Sequence, residues 1–380
     1  MGSDGYEHAT AVAALADGCY AVAGIAFESE ATRAVLYRLD SEGRPVWSRS
    51  YTVEGGGATS AMDLLVAADG GFILAGSCYM EPSGDAWIMK TDREGNKLWA
   101  RTWGDSTSGE MANAVRLAHG GGYVVAGESF RQVTAGSVIS DSAFVFVVSD
   151  AGTIRWGRKF GGDEIRVRAN DIVSAGGGYV WVGIVLGHGS DEDDWDASAY
   201  GAVIDQSGDL LRSATFGESG QRDAPTVFNA VAEGTGGTYF AVGSGACCPR
   251  PGLVVGLDIN LDRVFVSSLS SATLNDVCVS SDGSATAVGG TDPPAGDADV
   301  AVYRVSPSGQ TVWTADFGGP GYDCAEAVAA TPDGGVIIVG NTSSFEDGDH
   351  DIYIIKLSAQ DIQAGPPFSV ADCQRTRIMY

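Results

Sequence analysis

DGGFILAG (Asp69–Gly76), followed after a short loop by AWIMKTDREGNKLW (Ala86–Trp99), decides the fold. A Gly-rich turn feeds an apolar run that ends in Gly. A second apolar run follows, then Asp-x-x-Gly, then an aromatic residue four positions after that Gly. Asp-Gly and Gly-Gly supply the positive φ angles of tight hairpin turns, so each unit reads as successive antiparallel strands.

The unit recurs along the whole chain. It appears as DGCYAVAG (Asp17–Gly24) with AVLYRLDSEGRPVW (Ala34–Trp47), GGGYVVAG (Gly120–Gly127) ending at Trp156, and GGGYVWVG (Gly176–Gly183). GGTYFAVG (Gly236–Gly243), DGSATAVG (Asp282–Gly289) ending at Trp313, and DGGVIIVG (Asp333–Gly340) complete it. Corresponding glycines (Gly18, Gly70, Gly121, Gly177, Gly237, Gly283, Gly334) lie 52, 51, 56, 60, 46 and 51 residues apart. A short apolar stretch precedes each turn (Ala9–Val12, Ala112–Val115, Ala325–Val328), giving four strands per repeat. Seven such repeats predict an all-β, seven-bladed β-propeller with four antiparallel strands per blade. It forms a single domain over 1–380, with blades at about 4–54, 55–106, 107–162, 163–219, 220–270, 271–319 and 320–380. Trp47, Trp99, Trp156 and Trp313 are expected to pack between blades. Arg212 and Phe265 take that position in repeats four and five, marking these as degenerate. Residues 359–380 lack the signature and are expected to give blade seven a poor fourth strand.

The motif DGGYxxAG, then a D-x-W-x-x-K-x-D-like run, G-x-x-x-W and FGG, resembles the β-propeller repeats of bacterial and archaeal surface or secreted proteins. It is similar to the repeat called the seven-bladed β-propeller repeat. The resemblance runs to about Ser358 and implies the fold; such repeats serve many roles, so it implies no single activity.

The net charge is 23 − 49 = −26. An acidic surface of this size repels nucleic acid and anionic lipid, and suits cations, basic partners or a high-salt habitat. No run of apolar residues is long enough to cross a membrane. The N-terminus shows no signal peptide, but Met1-Gly2-Ser3 reads as a tag remnant. Removal of an export signal ahead of it would put the protein at the cell surface or outside the cell. Seven cysteines form no zinc-like spacing, and Cys247-Cys248 is an adjacent pair. Four histidines, each expected in a turn or loop, offer neither a three-histidine metal site nor a Ser-His-Asp arrangement.

Propeller topology puts the 1–2 and 3–4 turns on one face, where they are short. The 2–3 and blade-to-blade loops lie on the other face. There Glu128–Ser142 and Ile184–Ser198 read as the longest loops, and long loops on a rigid scaffold carry binding. That face gathers Asp191, Asp193, Asp194 and Asp196 around Trp195, the expected aromatic anchor, and Asp347, Asp349 and Asp351 in blade seven. Such carboxylates are either hard-oxygen ligands for Ca²⁺ or turn caps on a solvated surface; no other cofactor is expected.

Aligned first strands yield two further sets. One is Asp63, Asp171 and Asp276, alternating with alanines; the other, one residue earlier, is Asn113, Asn170, Asn229, Asn275 and Glu326, with Thr10 and Met62. Strand alternation predicts that the sets face opposite ways, one of them reaching the channel mouth on the loop-rich face. The Asn-rich set is the better candidate for binding a polar ligand, and either set can serve simply to satisfy strand ends. The leading expectation is a monomeric, non-enzymatic binding module that presents its acidic, loop-rich face to a protein, a carbohydrate or a cation. The alternatives are a hydrolase or lyase using carboxylates at the channel mouth, and a structural repeat domain of a larger surface protein.

Overall fold

The structure, a computed structural model, describes residues 6–27, 32–53, 57–80, 83–105, 107–134, 137–162, 165–186, 197–217, 225–245, 250–269, 272–292, 297–344, 351–366 and 374–378. Its strands, numbered β1–β28 in chain order, form seven four-stranded antiparallel sheets. Each sheet is built from four consecutive strands, so the chain is a seven-bladed β-propeller, as the repeat predicts. The inner strands are β1 (Tyr6–Ala14), β5 (Thr59–Val66), β9 (Gly109–Leu117), β13 (Arg166–Ala175), β17 (Pro225–Glu233), β21 (Ala272–Val279) and β25 (Asp323–Ala330). No described helix is long and apolar enough to cross a membrane.

Both faces of a blade are covered by neighbouring blades, so the middle strands read as unbroken apolar runs. The core accordingly divides into seven clusters, one per blade junction. The ring closes without strand exchange. Val22 and Tyr37 of blade one pack on Ile337, Val339 and Ile354 of blade seven, and the Ala9 amide donates to Asn341 Oδ1 at 3.0 Å. The tail does supply the fourth strand of blade seven, β28 (Gln374–Ile378), paired with β27 (Asp351–Leu357). The 3–4 connection there is longer than a tight turn, because helix α1 (Ala359–Ala364) intervenes, started by a Ser358/Asp361 capping box.

The conserved-looking turn chemistry has direct causes. Asp40 Oδ1 accepts from the Glu42 and Arg44 amides, and Asp92 Oδ1 from those of Glu94 and Asn96, so the Asp of Asp-x-x-Gly caps its own turn. The Asp of each Asp-Gly turn caps likewise and pairs with a basic residue of the third strand: Arg38–Asp17, Lys90–Asp69, Arg304–Asp282 and Lys356–Asp333.

The aromatics pack across junctions. Trp47 meets Phe72, Trp99 meets Tyr123 and Trp156 meets Tyr179, with centroids 6.0, 6.4 and 6.5 Å apart. Each ring also lies on the positive-φ glycine of the next blade's 3–4 turn: Trp47 on Gly95, Trp99 on Gly152, Trp156 on Gly208, Phe265 on Gly309. A Cβ at Gly95 would come within 2.9 Å of Trp47, so the glycine serves both the turn and the close approach. Where Arg212 replaces the aromatic, the next turn carries Leu261 instead of glycine. Leu261 has φ +64° and is buried in the cluster between blades four and five. A left-handed leucine is strained, but its side chain occupies the room a ring leaves empty.

Two sequence expectations are corrected. Glu128–Ser142 is mostly not a loop: β10 (Tyr123–Thr134) and β11 (Ser137–Val148) pair as far as Thr134↔Ser137, a hairpin extended beyond the blade. His8 lies within β1, not in a loop, and contacts Asn341 Nδ2 at 2.8 Å. Among the described cysteines, Cys19, Cys78, Cys278 and Cys324 are free; Cys247 and Cys248 lie outside the described residues.

Candidate binding site

Every inner strand carries a β-bulge at one position, occupied by Thr10, Met62, Asn113, Asn170, Asn229, Asn275 and Glu326. A bulge sets two residues against one, which breaks the alternation of side chains. The Asn-rich set and Asp63, Asp171 and Asp276 therefore do not face opposite ways. Both line one cavity of about 350 Å³ on the propeller axis. The cavity also does not sit at the loop-rich mouth. Its lining continues through Leu65, Cys278 and Ala329, toward the ends of the inner strands that enter the short turns.

These side chains stitch the blades. Asn113, Asn170, Asn229 and Asn275 donate through Nδ2 to the carbonyls of Ala169, Phe228, Leu274 and Ala325 in the following blade, at 2.8–2.9 Å. Thr10 Oγ1 does the same to Ala61 O at 2.9 Å. Met62 cannot donate, and at its junction Asp63 acts instead, accepting from the Val115 amide at 2.7 Å. Asp171 accepts from Val231 N at 2.9 Å and Asp276 from Val328 N at 2.8 Å. Each aspartate takes a second amide from its own strand, that of Leu64, Ile172 or Val277.

One residue of this site was not picked out from the sequence. Arg116 stands where the other inner strands have Ala13, Leu65, Val173, Ala232, Cys278 and Ala329. Its guanidinium bridges the axis, Nη1 to Asp63 and Nη2 to Asp171 at 2.7 Å. Burial raises the Asp171 carboxyl to about 6, against the pull of Arg116. Asp276, which no side-chain cation touches among the described residues, is raised to about 7 by burial, with Asp171 adding to the shift. A lone basic residue at an otherwise apolar register position was the available signal.

A second pattern lies on the loop-rich face, where the third strand of one blade begins beside the first strand of the next. Asp85 and Glu110 both crowd Gly104, each 2.6 Å from where a Cβ would stand. Asp299 and Asp323 flank Gly318 in the same way. At the ring closure the counterparts are Asp351 and Glu7. Burial and the Asp351 charge lift Glu7 to about 7. Burial followed by the neighbouring carboxylate also raises Asp85, Asp299 and Asp316. Lys159 answers the first group, contacting Asp105 and Glu110 at 2.9 Å each. Among the described residues no lysine or arginine pairs with Asp299, Asp316 or Asp323; Asp323 is held by Gly319 N and Ser344 Oγ. Of the acidic loop residues named from the sequence, Asp351 begins β27, while Asp191, Asp193, Asp194, Trp195, Asp196, Asp347 and Asp349 lie outside the described residues. No group of three metal-ligating side chains occurs among the described residues.

No family model matches the chain, and no curated protein matches its sequence. Solved structures resemble it in fold. Sqt1 from Chaetomium thermophilum is 15% identical, with 93% of this chain and 83% of that chain covered and a TM-score of 0.53. The same protein is also known bound to the N-terminus of the ribosomal protein L10. The Penicillium chrysogenum alpha-L-arabinanase complexed with arabinobiose is 12% identical, covering 94% and 96%, with a TM-score of 0.52. At these identities the likeness is one of fold alone, and it agrees with the propeller class.

Proposed function

We propose that the protein is a non-enzymatic binding module whose loop-rich face receives a basic segment of a partner protein. The observation that carries this reading is the set of like-charged carboxyl pairs held across blade junctions on that face. Packing two carboxylates together costs stability, because each raises the other's pKa. Such an arrangement is understandable where an outside cation completes it, as Lys159 does internally at the junction of blades two and three. Junctions six–seven and seven–one are adjacent, so Asp299, Asp316 and Glu7 put carboxyl groups on neighbouring junctions, with the buried Asp323 behind Asp299. Sqt1 is a fold-level precedent for a propeller bound to a protein terminus. Carboxylate-based hydrolysis at the axis fits less well, since both oxygens of Asp171 and of Asp276 already accept backbone amides.

The test uses a lysine/arginine-rich peptide titrated at near-physiological salt, where screening over about 8 Å suppresses general attraction to the −26 charge. The double variant Asp299→Asn/Asp316→Asn is compared with Glu94→Gln/Asp262→Asn, which removes two exposed charges from the 3–4 turns of the opposite face. The reading expects a loss of about tenfold or more in the first and little change in the second. Equal losses in both would reduce the interaction to net charge and overturn the assignment.

A further inference from the structure

The axial cavity has a chemistry of its own, separate from the loop-rich face. Four asparagines on consecutive blades, three to six, spend their Nδ2 donors on the next blade's carbonyls. This fixes each amide plane and leaves its Oδ1 as the group available to the cavity that the four residues line. Among the described residues no donor takes up these four oxygens. Beside them stand four carboxylates. Arg116 satisfies Asp63 and Asp171, and Glu326 is held by Asn341 Nδ2 at 3.2 Å and His8 at 3.7 Å. Asp276 lines the same cavity and, among the described residues, meets no side-chain cation. Its oxygens each accept one amide, at 2.8 Å, and an sp² carboxylate oxygen has a further lone pair to offer.

Arg116 shows what this axis holds: a cation spanning carboxylates of alternate blades. Asp276 of blade six lies two blades beyond Asp171, as Asp171 lies two beyond Asp63, and at the Arg116 register of the blade between them stands Ala232. We propose that the cavity is a receptor site for a small guanidinium- or ammonium-bearing molecule, its cationic group on Asp276 and its N–H donors on the amide oxygens of Asn229 and Asn275. The volume, about 350 Å³, lies at the small end of ligand sites and suits a compact metabolite rather than a polymer. A neutral or anionic ligand would meet the same ring of acceptors without donors to satisfy it, and its affinity would suffer accordingly.

The experiment titrates the whole protein calorimetrically with agmatine, with putrescine as the diamine lacking a guanidinium, and with acetamide as an uncharged control. The expected result is saturable one-to-one binding of agmatine, putrescine or both, and none of acetamide; the order of the two cations tells which head group the site prefers. Asp276→Asn should weaken binding about tenfold or more, while Asp299→Asn/Asp316→Asn on the loop-rich face leaves it unchanged. That last variant separates failure of this site from failure of the partner face. Should Asp276→Asn melt without ligand, Ala232→Arg decides: it puts in blade five, between Asp171 and Asp276, the residue that Arg116 supplies in blade three, and binding should be lost. Absence of saturable binding to either cation, or affinity indifferent to both Asp276→Asn and Ala232→Arg, overturns the proposal.

Discussion

Replacing Trp313 with alanine probes the junction on which blade seven depends. The indole is 8% exposed and lies in the cluster shared by blades six and seven. Its Nε1–H donates to Ile362 O at 3.0 Å, and its ring covers Gly365 at the end of α1. Truncating a buried Trp costs about 3–5 kcal/mol, from lost apolar transfer plus the cavity left behind. The hydrogen bond is buried, so the Ile362 carbonyl left without its donor adds to that cost. Guanidinium denaturation followed by circular dichroism should show a midpoint shift at constant slope worth about 3–5 kcal/mol, if unfolding stays cooperative. Trp47→Ala, at a half-buried ring, should cost less. A Trp313→Ala loss below about 1 kcal/mol, in the range of a surface change, would refute the claim that these rings hold neighbouring blades together.

Three further outcomes are expected. Asp171→Ala strands the Arg116 guanidinium and the Val231 amide, and should cost about 3–5 kcal/mol in the same denaturation assay, with Asp171→Asn costing less. Leu261→Gly relieves a positive φ and should be less destabilising than Leu261→Ala by roughly 1 kcal/mol, although both lose the buried side chain; the reverse order in thermal melts would contradict the strain assigned there. Glu7, raised to about 7 from an ordinary 4.5, binds a proton more readily folded than unfolded. Stability should therefore fall as pH rises from about 4.5 to 7, a fall that Asp171 and Asp276 share, and Glu7→Gln should lessen it over that window and raise the melting temperature at pH 8; a variant with an unchanged pH profile would remove Glu7 from the account.

The blades were legible because their spacing, their Asp-Gly turns and their aromatics are local signals that repeat seven times. Even the degenerate blades followed the rule, Arg212 and Leu261 exchanging roles across one junction. The site was only partly legible. Alignment of the inner strands picked out Asp63, Asp171, Asp276 and the asparagines, but simple alternation sent the two sets to opposite sides, because a bulge leaves no mark in a single strand's hydrophobic pattern. Arg116 was visible as an odd residue at an apolar register and went unread. The carboxyl pairs were harder: Asp85 and Glu110 belong to different blades, and only the packing of one sheet on the next brings them together. The reach of β10 and β11 was obscured by a polar segment, Glu128–Ser142, that reads as a loop.

The most direct test of a partner face is the hydrogen-exchange footprint of a bound basic peptide. The account predicts slowed exchange at the starts of β25 and β27 and in Gly318–Tyr322, with the Asp40–Arg44 and Asp258–Asp262 turns unaffected. Protection confined to those turns, or spread evenly over both faces, would contradict it.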